Sequence, residues 1–194
     1  MPSRPGLDRA SIVEAAGRLA DEAGLDRLTL SGLAGRLGVR TPSLYNHIDG
    51  LDGLRRELAL SGIQELNRHL QRAAIGKESD KALESMLHAY RVFAHERPGV
   101  YEAILRAPNP DSMRMQEASN AILDTVLTVL EPYGLTREDS IHTVRAFRAI
   151  GHGFVSLEAS GVFVGMDLAT DDSFRRLIFV FLRGLKSLNK IELT

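Results

Sequence analysis

The chain has 194 residues, enough for one domain or for a small domain joined to a larger one. Apolar residues make up 44% and charged residues 25%, as in ordinary globular proteins, and the net charge of -1 excludes a uniformly basic surface. The absence of cysteine excludes disulfides and thiolate chemistry. The first residues lack the apolar segment of a signal peptide, and the longest apolar run, residues 177–182, is too short to cross a membrane. We therefore expect a cytoplasmic protein with no membrane partner.

Apolar residues recur at helical spacing along nearly the whole chain, which predicts an all-α fold of about nine helices. The first predicted helix ends at Gly24 and a short second helix ends at Gly38, because glycine is favoured just past a helix end. A third short helix begins near Thr41, with Pro42 at its first position, and is predicted to run to Ile48.

Longer helices are predicted after this region, over residues 52–74, 83–94, 98–105, 110–131, 136–160 and 172–188. A polar segment over residues 76–80 separates the first of them from the rest. We therefore predict a three-helix domain over residues 1–50, a connecting helix over 51–76 and a larger helical domain over 77–194.

Residues 29–48 combine two short helices with a tight turn between them. Ala34 is small where the second helix must cross closely, and Gly38 allows the backbone to turn with positive φ. Val39 and Leu44 are the apolar residues that anchor the segment beyond the turn. This pattern predicts a helix-turn-helix, whose second helix enters the major groove of DNA.

The outward residues of that second helix are polar or amphipathic, and the stretch from Arg27 to Ile48 contains no acid. Asn, Ser, Thr and Arg side chains can contact base edges, while Tyr, His and Arg can bind phosphates. We expect Arg40, Thr41, Ser43 and Asn46 to lie nearest the bases. The full predicted DNA-binding set is Thr29, Ser31, Arg40, Thr41, Pro42, Ser43, Tyr45, Asn46 and His47.

Residues 7–60 resemble the DNA-binding domain of the tetracycline-repressor (TetR) family. The resemblance is carried by Leu28-Thr29-Leu30, Leu33-Ala34, Leu37-Gly38-Val39 and Leu44-Tyr45-Asn46-His47-Ile48. It implies a homodimeric repressor that a small-molecule effector releases from double-stranded operator DNA. The family often has a phosphate-binding Lys where this chain has Leu51, and Arg55 and Arg56 are the candidate replacements. Gly151-His152-Gly153-Phe154 and neighbouring residues are similar to one subgroup of the family's C-terminal domains.

Two further sites are predicted in the larger domain. The last helix is apolar on more than one side, which fits either a dimer interface or the centre of a monomer core. The predicted dimer interface comprises Phe154, Phe174, Leu177, Ile178, Phe181, Leu182 and Leu185, with Phe179 and Val180 adding apolar surface on the other side of the helix. A mostly apolar effector chamber would use residues that can equally belong to the core: Tyr90, Phe93, Tyr101, Met113, Met115, His142, Phe147 and His152.

An enzyme is the first alternative to a regulator. No nucleophile, phosphate-loop or metalloprotease motif is present, so we expect no enzyme, no catalytic or metal-binding residue and no cofactor. Three Glu–His pairs are spaced by four residues, which more often gives an ordinary contact on a helix face than a metal site: Glu65/His69, Glu84/His88 and Glu138/His142. The second alternative is a helical ligand-binding or partner-binding protein in which the helix-turn-helix serves only as scaffold.

Overall fold

A computed structural model describes residues 7–107, 112–165 and 167–188. Within these ranges the chain forms nine α-helices and no strand, which confirms the all-α prediction. The helices are α1 (Arg9–Ala23), α2 (Leu30–Leu37), α3 (Thr41–Leu44), α4 (Gly50–Ala74), α5 (Ser79–Glu96), α6 (Pro98–Leu105), α7 (Met113–Leu130), α8 (Arg137–Ala159) and α9 (Thr170–Leu188). Short 3₁₀ turns cover Leu25–Arg27 and Glu131–Tyr133. None of these helices has the length and apolar character needed to cross a membrane.

The observed end of α3 differs from the predicted one. α3 ends at Leu44 instead of Ile48, and the following residues form a turn in which the backbone N–H groups of His47 and Ile48 both donate to the carbonyl of Leu44. The cap predicted at residues 109–111 lies outside the described residues.

The described residues form two compact units. The first comprises those within Met1–Glu65 and Glu96–Ser119, and the second those within Leu66–His95 and Asn120–Thr194. The boundaries therefore fall within α4, at the end of α5 and within α7. The predicted domains, over residues 1–50, 51–76 and 77–194, are continuous in sequence, whereas each compact unit combines two separate stretches of chain. The predicted division stays a prediction about functional domains.

In the first unit, α6 packs against α1 at very short range. A Cβ atom built on Gly99 would lie 2.6 Å from the backbone nitrogen of Asp21 and closer still to the carbonyl group of Ala20. Only glycine leaves space for this crossing, because every other residue carries a Cβ atom. Val100 is buried beside the contact. The close approach fixes the position of α6 on α1, the helix that precedes the predicted helix-turn-helix.

A partly buried ionic network holds the same crossing. The Asp21 carboxylate accepts hydrogen bonds from the backbone N–H groups of Gly99 and Val100 at 2.9 and 3.0 Å, and so caps the start of α6. The Arg97 guanidinium donates to Asp21 at 2.6 Å and to Glu65 of α4 at 2.5 Å. Hydrogen bonds of this kind, with a charged partner, are stronger than neutral ones. The network therefore joins α1, α4 and α6.

We expect Asp21→Ala to lower the free energy of unfolding by about 3 kcal/mol, because it removes one partner of a poorly solvated ion pair and leaves two N–H groups without their acceptor. Asp21→Asn keeps an acceptor for those N–H groups and should cost less. The control is Asp26→Ala, which breaks an exposed ion pair with Arg106 and should cost much less than Asp21→Ala, because solvent screens that pair. Urea unfolding at one protein concentration measures all three. Equal losses for Asp21→Ala and Asp26→Ala would contradict the assigned role.

In the second unit, aromatic side chains of α5, α8 and α9 form the core. Phe93, Phe147, Phe154 and Phe174 are all buried, and the rings of Phe154 and Phe174 lie 4.6 Å apart. The Arg91 guanidinium lies over both of these rings and donates to Glu158 at 2.6 and 2.8 Å. Burial disfavours the charged form of Glu158, but hydrogen bonds from Arg91 and His95 outweigh it and lower the pKa of this carboxyl. This ion pair connects α5 to the end of α8.

Candidate nucleic-acid interface

Local hydrogen bonds define the ends of the first two helices. Asp8 accepts from the backbone N–H of Ser11 at 2.7 Å, and the Ser11 hydroxyl accepts from the N–H of Asp8, so the two form a capping box at the start of α1. The Thr29 hydroxyl accepts from the N–H of Gly32 at 3.1 Å and caps α2. Thr29 therefore has a structural role of its own, and its contact with DNA stays a prediction.

Gly38 makes the turn between α2 and α3. Its φ of 66° lies in the left-handed region, which side chains with a Cβ rarely adopt. The N–H of Val39 donates to the carbonyl of Ala34 at 3.0 Å and closes the end of α2. Leu44 and Ile48 are buried beyond the turn. The predicted helix-turn-helix is present, and its second half is anchored by these two apolar side chains.

The residues around these anchors are accessible to a ligand. Tyr45 is 59% exposed, and five other members of the predicted DNA-binding set are exposed: Thr29, Ser31, Arg40, Pro42 and Asn46. Thr41, Ser43 and His47 are half-buried. The segment from Arg40 to His47 thus presents polar and aromatic groups on the surface, as the sequence predicts.

The arginines between Arg27 and Ile48 differ in whether a carboxylate already pairs with them. Arg36 forms two hydrogen bonds with Glu22 of α1, at 2.5 and 2.6 Å, and these bonds lower the pKa of the Glu22 carboxyl. Arg27 and Arg40 are exposed, and within the described residues neither forms an ion pair. Arg36 therefore holds α1 to α2, while Arg27 and Arg40 are the cations of this stretch that remain available to an anionic partner.

A polar cavity of about 290 Å³ lies beside the exposed segment and brings in cations from α1 and α4. Its lining residues are Arg9, Tyr45, Asn46, His47, Ile48, Asp49, Gly53, Arg56 and Glu57. The Arg9 side chain donates to the backbone carbonyl of His47 at 3.1 Å and lies 3.5 Å from Glu57. Arg9 is not in the predicted DNA-binding set, although its position directly after the Asp8 cap places it at the start of α1. Arg9 thereby holds the turn after α3.

The fold and this surface together define a helix-turn-helix protein of the DNA-binding class. A tight glycine turn, two buried anchors and an exposed polar face free of acidic side chains between Arg27 and Ile48 are the features with which such proteins enter the major groove.

Comparison with known proteins identifies the family within this class. Residues 83–181 match the family described as tetracyclin repressor-like, C-terminal domain. An uncharacterized HTH-type transcriptional regulator of Mycobacterium tuberculosis is 38% identical over 95% of this chain and 84% of its own length. A second one, from Bacillus subtilis, is 38% identical over 98% of each chain. The chain belongs to the TetR family of transcriptional regulators.

A solved structure agrees in fold. A TetR variant of Acinetobacter baumannii, crystallised with minocycline, superposes with a TM-score of 0.72 at 20% identity, covering 94% of this chain and 98% of that one. The predicted function class, a DNA-binding transcriptional regulator, is confirmed by the family.

The residues predicted for an effector chamber divide between the two units. Tyr90, Phe93 and Phe147 are buried and His152 is half-buried in the second unit, whereas Tyr101 and Met115 are buried in the first. Met113 is 75% exposed and His142 is also exposed, so neither encloses a chamber within the protomer. Tyr90 packs on α8 at Gly151, where a Cβ atom would lie 3.1 Å from its ring. Tyr90, Phe93, Phe147 and His152 of the second unit stay predictions for binding an effector.

The residues predicted for the dimer interface also separate, by the face of the helix they occupy. Phe174, Ile178 and Leu185 lie at spacings of four and seven residues and are buried in the protomer's own core, as is Phe154 of α8. Phe181 and Leu182 are half-buried. The exposed apolar residues of α9 are Leu177, Phe179 and Val180, with exposures of 36%, 57% and 65%. A face available to a second subunit is therefore centred on these three residues instead of on the buried ones.

The Glu–His pairs have ordinary structural surroundings. His69 packs edge-on against Phe93, and His88 packs edge-on against Phe174, where burial lowers the pKa of the His88 imidazole. His142 lies 3.8 Å from Glu138 on the surface. Within the described ranges, no three His, Asp or Glu side chains come together in a way that could hold a metal ion.

Proposed function

We propose that this regulator binds double-stranded operator DNA as a homodimer, with the segment from Arg40 to His47 of each subunit in the major groove. The observation that carries the proposal is the exposed polar surface of this segment, held in place by Leu44 and Ile48. Two such segments related by a two-fold axis fit adjacent major grooves when they are about one DNA turn, ~34 Å, apart. The exposed apolar side chains of α9 support dimerisation, because a symmetric partner that covers them removes apolar surface from water.

Each exposed side chain suits one kind of contact. Arg40 and Asn46 can bind base edges with two hydrogen bonds, and Tyr45 can donate its hydroxyl to a phosphate. Arg56 takes the part of the family's phosphate-binding Lys, which is Leu51 here. Support for Arg56 over Arg55 comes from position: Arg56 is exposed and lines the cavity with Tyr45 and His47, whereas the Arg55 Nε is buried.

We expect Tyr45→Ala to weaken binding to all duplexes to a similar degree, because a phosphate contact carries no sequence information. Asn46→Ala should relax preference at one base position by about 1–3 kcal/mol if the contact is bidentate. Neither variant should unfold the protein, because both side chains are exposed. Asn120→Ala, at an exposed position of α7, is the control. Titration of labelled duplexes with matched and single-substituted sites measures the effects. Wild-type binding by both variants would show that another surface contacts DNA.

We infer that effector binding relieves repression, which is the usual response in the family. A small molecule bound among the helices of the second unit, near Tyr90 and Phe147, lowers operator affinity and so relieves repression. It can do so only by binding the DNA-free conformation more tightly than the DNA-bound one.

Selection of bound sequences from random duplex DNA, repeated at two salt concentrations and with candidate small molecules, tests this function. A regulator should enrich a two-fold symmetric site, and its affinity should fall steeply with salt as phosphate counterions are released. A helical protein whose helix-turn-helix is only scaffold would enrich no sequence and would bind duplex weakly at both salt concentrations.

A further inference from the structure

A second cavity lies in the first unit, and most of its lining residues are not part of the proposed DNA-binding surface. It has a volume of about 440 Å³, within the range of roughly 300–1,000 Å³ that holds small molecules. Three segments contribute to it: the turn after α1 with Leu25, the first turns of α4 with Asp52, Arg55 and Arg56, and the end of α6 with Ala103, Arg106 and Ala107. Three guanidinium groups thus line a cavity with a largely apolar floor.

The three arginines are not equivalent. Arg106 donates to Asp26 at 2.5 Å and lies 2.5 Å from Glu102, so two carboxylates already offset its charge. Arg55 and Arg56 form no ion pair within the described parts of the chain, and Asp52 is the one acid among the described lining residues. The cavity wall therefore carries two guanidinium groups with no carboxylate in direct contact, of which Arg56 is exposed and Arg55 is half-buried.

Arg55 has an unpaired hydrogen-bond donor. Its Nε is buried and has no hydrogen-bond acceptor among the described residues. Leaving a buried donor of a charged group unpaired is unfavourable, so such groups are rare in folded proteins and call for an explanation. A carboxylate accepts two parallel hydrogen bonds from one guanidinium, and one bound in the cavity would satisfy this need once the Arg55 side chain turns its Nε toward it.

We propose that this cavity binds a small organic carboxylate, with its charged end on Arg55 and Arg56 and its apolar body against Leu25, Ala103 and Ala107. Arg56 also lines the cavity beside Tyr45 and His47. A carboxylate that holds Arg56 therefore withdraws a phosphate-binding group from the DNA face and weakens DNA binding. This consequence rests on the proposed operator binding, whereas the binding of the carboxylate does not.

Calorimetric titration of the DNA-free full-length protein with benzoate tests the site. Benzoate should bind saturably, one per chain, and the neutral benzamide should bind at least about tenfold more weakly because it lacks the charge that the guanidinium groups pair with. Inorganic phosphate should also bind more weakly, because it has no apolar body. Failure of benzoate to bind, or equal binding by benzamide or phosphate, would overturn the proposal and leave the operator proposal standing if the protein still selects a duplex.

Three variants locate the binding. Arg55→Gln should reduce benzoate affinity at least about tenfold, the loss expected for a hydrogen bond to a charged group. The control Arg145→Gln, at an exposed position of α8, should bind as wild type. If Arg55→Gln fails to fold by circular dichroism, Ala107→Leu decides instead, because it fills the cavity from a half-buried position. Unchanged benzoate affinity in the folded variant would overturn the assignment.

The effect on DNA is measured by titrating a selected duplex at constant ionic strength with and without benzoate. Wild type and Arg145→Gln should lose affinity when benzoate is present, and Arg55→Gln should not respond. An equal response by Arg55→Gln would show that benzoate acts elsewhere and would overturn the link between this cavity and DNA binding.

Discussion

Gly99→Ala should unfold the first unit or destabilise it by about 3 kcal/mol or more, because a buried backbone clash cannot be relieved by rotating a side chain. The added Cβ atom would meet the backbone of Ala20 and Asp21, and α6 would have to move away from α1. The capping bonds from Gly99 and Val100 to Asp21 would be lost with that movement. Urea unfolding monitored by circular dichroism measures the change in the free energy of unfolding.

The control is Gly35→Ala, in the interior of α2, where a Cβ atom would meet nothing within 4 Å and φ is not positive. This change should stabilise the protein by about 0.5–1 kcal/mol, since alanine loses less conformational freedom in a helix than glycine does. A lower free energy of unfolding for Gly99→Ala together with a higher one for Gly35→Ala would confirm the close crossing. A Gly99→Ala protein as stable as wild type would show that α6 does not contact α1 at the distance described.

Val180→Glu should give a folded monomer that has lost tight operator binding. Val180 is 65% exposed in the protomer, so the charge costs little in an isolated subunit. In the proposed dimer it would place two like charges in a dry interface, at a cost of several kcal/mol, and each substitution counts twice. A monomer reads only a half-site, so operator affinity should fall by at least about tenfold. Sedimentation and duplex titration measure the two effects.

Two other substitutions separate the interface from the core. Ile178→Glu places the charge on the buried face of α9 and should unfold the second unit instead of producing a helical monomer. Gln116→Glu makes the same change in net charge at an exposed position of α7 and should leave both dimer and DNA binding intact. A stable Val180→Glu dimer with normal operator binding would show that the subunits meet elsewhere. Phe181 belongs to the predicted dimer interface but is half-buried. A charge there would disturb the core and the interface together, so a Phe181 variant would not separate the two outcomes.

The sequence predicts the DNA-binding head well because its signals are local. Gly38 and the apolar residues around it lie within one short segment, and the left-handed turn follows from what glycine alone permits. The end of the recognition segment was less predictable. Tyr45 and His47 lie in a turn after α3, and the spacing of Leu44 and Ile48 is the same in a continuing helix.

Helical periodicity does not tell which apolar stripe of a two-sided helix turns inward. The sequence of α9 shows Phe174, Ile178, Phe179 and Val180 as equally apolar. Only packing within the second unit, where α5 and α8 both contact Phe174, buries the first two and leaves the others exposed. The chamber residues separate for the same reason, since Tyr101 and Met113 belong to the first unit and Tyr90 to the second.

By itself, then, the sequence determined an all-helical regulator with a helix-turn-helix, since backbone periodicity and turn chemistry depend on residues a few positions apart. The tertiary structure alone decided how α6 packs on α1, which arginine lies beside the recognition segment and which has a buried Nε atom. The hydrogen bond from Gly99 to Asp21 joins residues 78 positions apart. No local pattern encodes such a contact, because it depends on the geometry of helices that are brought together only when the whole unit folds.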